Sequence, residues 1–123
     1  MAETDKLLER VVKRVNDSGN PFDITITVGG AMITGRVAPR AAWLESNIEV
    51  LSGIDDTKAF VDDFANEGGA SDTDEYLHLT DAKVIFGVEI PINAGTGLLR
   101  VPVSSVDSWA VGRLDINYKS PSA

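Results

Sequence analysis

The chain has 123 residues, no cysteine, a hydrophobic share of 43%, a net charge of −8 and a pI of about 4.4. That length predicts one domain, 1–123, with a single modest core, and the apolar content excludes a disordered chain. Disulfide and thiolate chemistry are excluded, and no apolar run approaches the roughly 20 residues of a membrane helix, so a cytoplasmic protein is expected with no membrane partner.

The acidity is concentrated. Residues 45–75 hold ten carboxylates against Lys58 alone, net −9, while the remaining nine acids and ten bases leave net +1. Nucleic-acid affinity rests on neutralising phosphates with Lys and Arg, so nucleic acid is a disfavoured partner.

Residues 4–18 carry Leu7, Leu8, Val11, Val12 and Val15 at the spacing of one helical face, with Lys6, Arg10, Lys13 and Arg14 elsewhere. Thr4 is the expected N-cap, and Asn16 to Pro21 is the stop. The basic residues read first as a solvated face balanced by nearby carboxylates, and secondarily as a partner-binding surface.

Residues 22–37, FDITITVGGAMITGRV, form the strongest signal. Phe22, Ile24, Ile26 and Val28 alternate with polar residues, and Gly29-Gly30 supplies the two positive-φ positions of a type I′ turn. A two-residue turn sets Val28 against Ala31, Ile26 against Ile33, Ile24 against Gly35 and Phe22 against Val37. A glycine inside a strand marks a bend or a close backbone approach, so Gly35 is the expected bend point.

Residues 40–75 read as a helical acidic insert. Ala41, Leu44, Ile48 and Leu51 form one stripe with Trp43 beside it; Ser52-Gly53 interrupts. A second helix, capped by Asp55 or Asp56, turns Phe60, Val61 and Phe64 inward and closes at Gly68-Gly69. Ala70 to Glu75 is an acidic loop. Residues 76–116 supply strands three to five: Tyr76–Phe86 with Leu77 and Leu79 on the buried face and His78 partly exposed, Leu98–Val103 with Pro102 at a sheet edge, and Trp109–Ile116 after a short turn at Ser104–Asp107. Gly87–Gly97 reads as a mobile connection. Residues 117–123 form a polar tail.

No motif here carries catalysis, a cofactor or a metal. A zinc site needs several Cys or His ligands, and His78 is the single histidine. Asp72-Thr73-Asp74-Glu75 lacks the spacing of a calcium loop, Gly29-Gly30 joins two strands rather than cradling phosphate, and Asp62 and Asp63 point in different directions on a helix. A hydrolytic or small-ligand domain using Asp and Glu would have only His78 titrating near neutrality.

The expected fold class is α+β: a small, strongly bent five-stranded antiparallel barrel or sheet, with an N-terminal helix and the acidic insert between strands two and three. Its element order resembles the Sm-like small barrel, which implies an RNA-binding ring as the alternative function. Arg36, Arg40, Arg100 and Arg113 are too scattered to favour it.

The stretch Asp23–Gly35, the aromatic-bearing acidic insert, His78-Leu79 with Ala82-Lys83-Val84 and Gly87, and Val106-Asp107 with Gly112 further on together resemble the gas vesicle accessory protein U (GvpU-like) family. The resemblance implies a cytoplasmic, gas-vesicle-associated, non-enzymatic accessory protein that promotes vesicle assembly or clustering. Its implied partners are vesicle shell or other accessory proteins, and itself. It implies no catalytic, cofactor-binding or metal residues. Some members carry a longer Lys- and Ser-rich tail, whereas here seven residues follow Ile116 with Lys119 as their only charge.

Overall fold

A computed structural model describes residues 5–68, 75–92 and 96–114. The first helix, α1, spans Lys6–Ser18, and its N-cap is Asp5 rather than Thr4. Asp5 Oδ1 accepts the backbone N–H groups of Leu7 at 2.9 Å and Leu8 at 3.1 Å, while Oδ2 accepts the Trp109 indole N–H at 2.9 Å. One carboxylate thus satisfies two otherwise orphaned helix donors and ties the helix to the last strand.

The hairpin follows the expected register residue by residue. Strand β1 (Phe22–Val28) and strand β2 (Ala31–Val37) pair with Phe22 opposite Val37, Ile24 opposite Gly35, Ile26 opposite Ile33 and Val28 opposite Ala31. Gly29 and Gly30 have φ of 55° and 87°, the positive values a primed turn needs.

Two helices follow, α2 (Arg40–Ser52) and α3 (Lys58–Gly68). Trp43 and Leu44 are the buried residues of α2, whereas Ala41 of the expected stripe is exposed. In α3 the inward residues are Val61 and Phe64; Phe60 faces solvent. Thr57, not Asp55 or Asp56, immediately precedes α3, and its hydroxyl donates to the carbonyls of Leu51 at 2.6 Å and Ile54 at 2.9 Å. Gly69, the acidic stretch 70–74 and the tail 117–123 lie outside the described residues.

The sheet departs from the expected barrel. After the insert come β3 (Tyr76–Ile85), β4 (Glu89–Pro91), β5 (Leu99–Pro102) and, past a 3-10 turn at Val103–Ser105, β6 (Ser108–Val111). They form a six-stranded antiparallel sheet in the order β4-β3-β2-β1-β6, with β5 also paired to β3. The expected five strands become six because Glu89–Pro91, assigned to a connection, doubles back onto β3. The sheet is open, not Sm-like and closed. β5 and β4 share one edge of β3, at opposite ends of that strand, and β6 pairs with β1. The last strand also ends at Val111 rather than Ile116.

Gly35 marks the bend, and β3 contributes the extra residue. The β2–β3 register shifts so that Asp81 and Ala82 both lie between the partners of Thr34 and Arg36, opposite Gly35 alone. Asp81 has a φ of 52°, and a Cβ on Gly35 would sit 3.2 Å from Ala82 Cα. Such a bulge turns the strand and lets its two halves take different partners.

Each face of the sheet has its own cover. Leu8, Val12 and Val15 of α1 pack with Ile24, Ile26, Ile33, Val37, Leu77 and Leu79. On the opposite face, Trp43 and Leu44 pack with Leu98 and Phe64. Beside them the chain turns at Gly112 and crosses back, so that Thr25 Oγ1 donates to Gly112 O at 2.9 Å and the Leu114 N–H donates to Thr34 Oγ1 at 3.0 Å.

Candidate functional site

Strand phase decides the site. In β3 the alternation sends Leu77 and Leu79 to the α1 side and Tyr76, His78 and Thr80 to the side covered by α2. A one-sided sheet would leave His78 partly exposed, as the sequence reading expects. Here α2 lies over it, and His78 is 2% exposed. The Trp43 ring sits 4.9 Å from the imidazole, tilted by 54°, and Phe64 extends the stack at 6.2 Å from Trp43.

Opposite His78 in the β3–β5 ladder is Arg100. Its guanidinium lies 4.1 Å above the Tyr76 ring and donates to Glu67 Oε1 at 3.1 Å. Arg40, at the start of α2, reaches the same carboxylate oxygen at 3.6 Å and also donates to the Glu67 carbonyl. The Arg40 backbone N–H donates to Asn16 Oδ1 at 2.8 Å, linking this corner to the end of α1. One glutamate on α3 therefore binds an arginine from α2 and another from β5.

The electrostatics follow from that placement. The Arg100 hydrogen bond, with both guanidinium charges, holds the Glu67 carboxyl below its ordinary value. Burial, then the charges of Arg100 and Arg40, push His78 down to about 4, against the opposing pull of Glu67. The imidazole is neutral at pH 7 and enclosed. Among the described residues, no protein group hydrogen-bonds Trp43 Nε1, His78 Nδ1 or Arg100 Nε. The physical work of this cluster is to clamp the helical pair onto the sheet.

The arginines weighed for RNA are engaged elsewhere. Arg36 pairs with Asp23 at 3.3 Å, Arg40 and Arg100 with Glu67, and Arg113 with Asp81 at 3.3 Å and Asp23 at 3.5 Å. Asp62 and Asp63 lie exposed on α3, with Asp62 paired to Lys58 at 3.0 Å. Of the Asp72–Glu75 cluster, only Glu75 is within the described residues.

A family model described as Gas vesicle protein GvpU-like matches residues 5–114, from the cap of α1 to just past β6. The chain belongs to this family. Comparison with curated proteins and with solved structures gives no significant match.

Within this GvpU-like fold, two groups of large apolar side chains stand in water, apart from others such as Leu7 on α1 and Val111 on β6. Phe86 and Val88, at the turn between β3 and β4, are 75% and 57% exposed, and Ile90 follows on β4. Val50, Ile54 and Phe60 occupy the end of the helical pair where α2 passes to α3. Sequence reasoning misses both. The alternation Val88, Ile90, Ile92 is a signal for the first, diluted by Gly87 and Pro91. Among the described residues, no helix is long and apolar enough to cross a membrane.

Proposed function

We propose that this chain is a non-enzymatic accessory protein of the gas vesicle system that promotes vesicle assembly or clustering through protein–protein contacts. The observation that carries this reading is the family match over residues 5–114. Two features support the contact role. His78 is enclosed, and the partly exposed Glu67, Arg40 and Arg100 beside it are spent on one another in holding elements together. Meanwhile the β3–β4 turn presents Phe86 and Val88 to solvent, where large apolar groups raise the free energy of the lone chain and lower it on docking. Its partners are vesicle shell proteins or other accessory proteins, and its place is at the vesicle.

Flotation tests this. Purified vesicles mixed with the chain and centrifuged gently rise, and the proposal expects the chain in the floating layer. A chain that stays wholly in the subnatant, at low and at moderate salt, overturns it.

A further inference from the structure

We infer that the free end of the helical pair docks onto the basic face of α1 in a second copy of this chain. The inference rests on the accessory reading above, because a protein that joins two vesicles needs a contact to the other copy as well as one to the vesicle.

The first surface is the α2–α3 corner. Ile54 and Phe60 are 55% and 58% exposed there, and Val50 stands beside the turn. Thr57 bonds to the Leu51 and Ile54 carbonyls, so these side chains are carried by a fastened turn. Glu49, Asp55, Asp56, Asp62 and Asp63 surround the corner, all exposed, and the base among them, Lys58, is paired with Asp62. Apolar groups ringed by carboxylates select a surface that is apolar and ringed by cations.

α1 offers one. Arg10 and Arg14 are exposed on it, Lys13 beside them is paired with Asp17 at 3.1 Å, and Leu7 is half in water. A depression of about 350 Å3, lined by Val11, Arg14, Val15 and Phe22 among others, adjoins a second one bordered by Arg10, Lys13, Arg14 and Asp17. The smaller depression offers apolar walls and a cationic rim to an incoming Phe60.

Position makes the contact intermolecular. α1 covers one face of the sheet and the helical pair covers the other, so the two surfaces of one chain face apart. After docking, one copy keeps its α1 face free and the other its helical corner, which makes the contact heterologous and the assembly open-ended. Small patches of this kind bind weakly one at a time and are screened by salt. Many weak contacts between coated vesicles add up to clustering.

Sedimentation velocity on the full chain tests the docking. At about 50 mM salt the mean mass should rise with protein concentration, and at about 500 mM it should fall back towards the monomer. Arg10→Glu with Arg14→Glu, and separately Asp62→Lys with Asp63→Lys, should each weaken association about tenfold or more. An equimolar mixture of the two variants should regain assembly, because each then offers what the other lacks. Phe60→Ser should weaken association without changing charge, and unaltered circular dichroism spectra check the fold of every variant. A wild-type chain that stays monomeric, variants that associate like wild type, or a mixture that does not recover overturns the docking. The arginine variant should still float with vesicles, which separates the two readings. A wild-type chain that assembles but does not float overturns the accessory reading and leaves the docking standing.

Discussion

Trp43 of α2 lies against His78 of β3, ring centroids 4.9 Å apart at a tilt of 54°. This contact joins the acidic helical pair to the sheet, and its histidine is the one group in the joint whose ordinary titration, in the unfolded chain, falls between pH 7 and pH 5.

The sign of the pH effect follows. The unfolded chain takes up a proton near pH 6.5, while folded His78 resists protonation down to about 4. Stability from this group is therefore complete above pH 6.5 and declines as pH falls towards 4. Between pH 7.5 and pH 5 the loss should be about 2 kcal/mol, read from urea melts at each pH. His78→Phe should flatten that part of the profile. A wild-type profile as flat as that of the variant contradicts the account. Glu67 adds its own loss at lower pH, since its depressed carboxyl must protonate there.

Glycine substitutions separate backbone conformation from space. A Cβ on Gly30 meets no atom within 4 Å, so Gly30→Ala should cost only its left-handed backbone, about 1 kcal/mol. A Cβ on Gly97 would lie 2.1 Å from the Ala82 nitrogen, and its φ is 65° as well. Gly97→Ala must displace the bulge of β3 and should cost more than about 3 kcal/mol. Equal thermal midpoints for the two variants contradict the close approach of residue 97 to β3.

Asp5→Ala should lower the thermal midpoint and change Trp109 fluorescence together, because one carboxylate caps α1 and accepts the Trp109 indole N–H. Asp5→Asn keeps the capping oxygen and should retain more of the midpoint. Fluorescence indifferent to both substitutions contradicts the indole bond.

Much of this fold was legible. Turn chemistry at Gly29-Gly30 and the period of two around it agree, so the β1–β2 register follows from local rules alone. The α1 face is equally local at Leu8, Val12 and Val15, although Leu7 of the expected stripe lies half in water and the cap falls one residue later, at Asp5, where neighbouring Thr and Asp offer similar oxygens. What failed was non-local. Whether β5 and β6 meet to close a barrel depends on how far β3 bends at Asp81-Ala82, which no neighbouring residue reports. His78 alternates in β3 in the same way whether or not α2 lies above it. Glu67 is one carboxylate of an acidic segment until Arg40 and Arg100 converge on it. Phe60 looks like helix core and is surface, because α3 is covered on one narrow side.

Phe86→Ser with Val88→Ser should leave folding stability within about 0.5 kcal/mol of wild type, both side chains being mostly in water. The same change should reduce the fraction of chain that floats with vesicles. Undiminished flotation removes the β3–β4 turn from the vesicle contact.

The central claim is that this GvpU-like chain acts on vesicles by contact. Light scattering from purified vesicles, stripped of loosely attached protein and titrated with the chain at low salt, tests it most directly. The account predicts growth in particle size as the chain is added, reversed by raising the salt. Particle size unchanged across the whole titration, with the chain folded throughout, contradicts it.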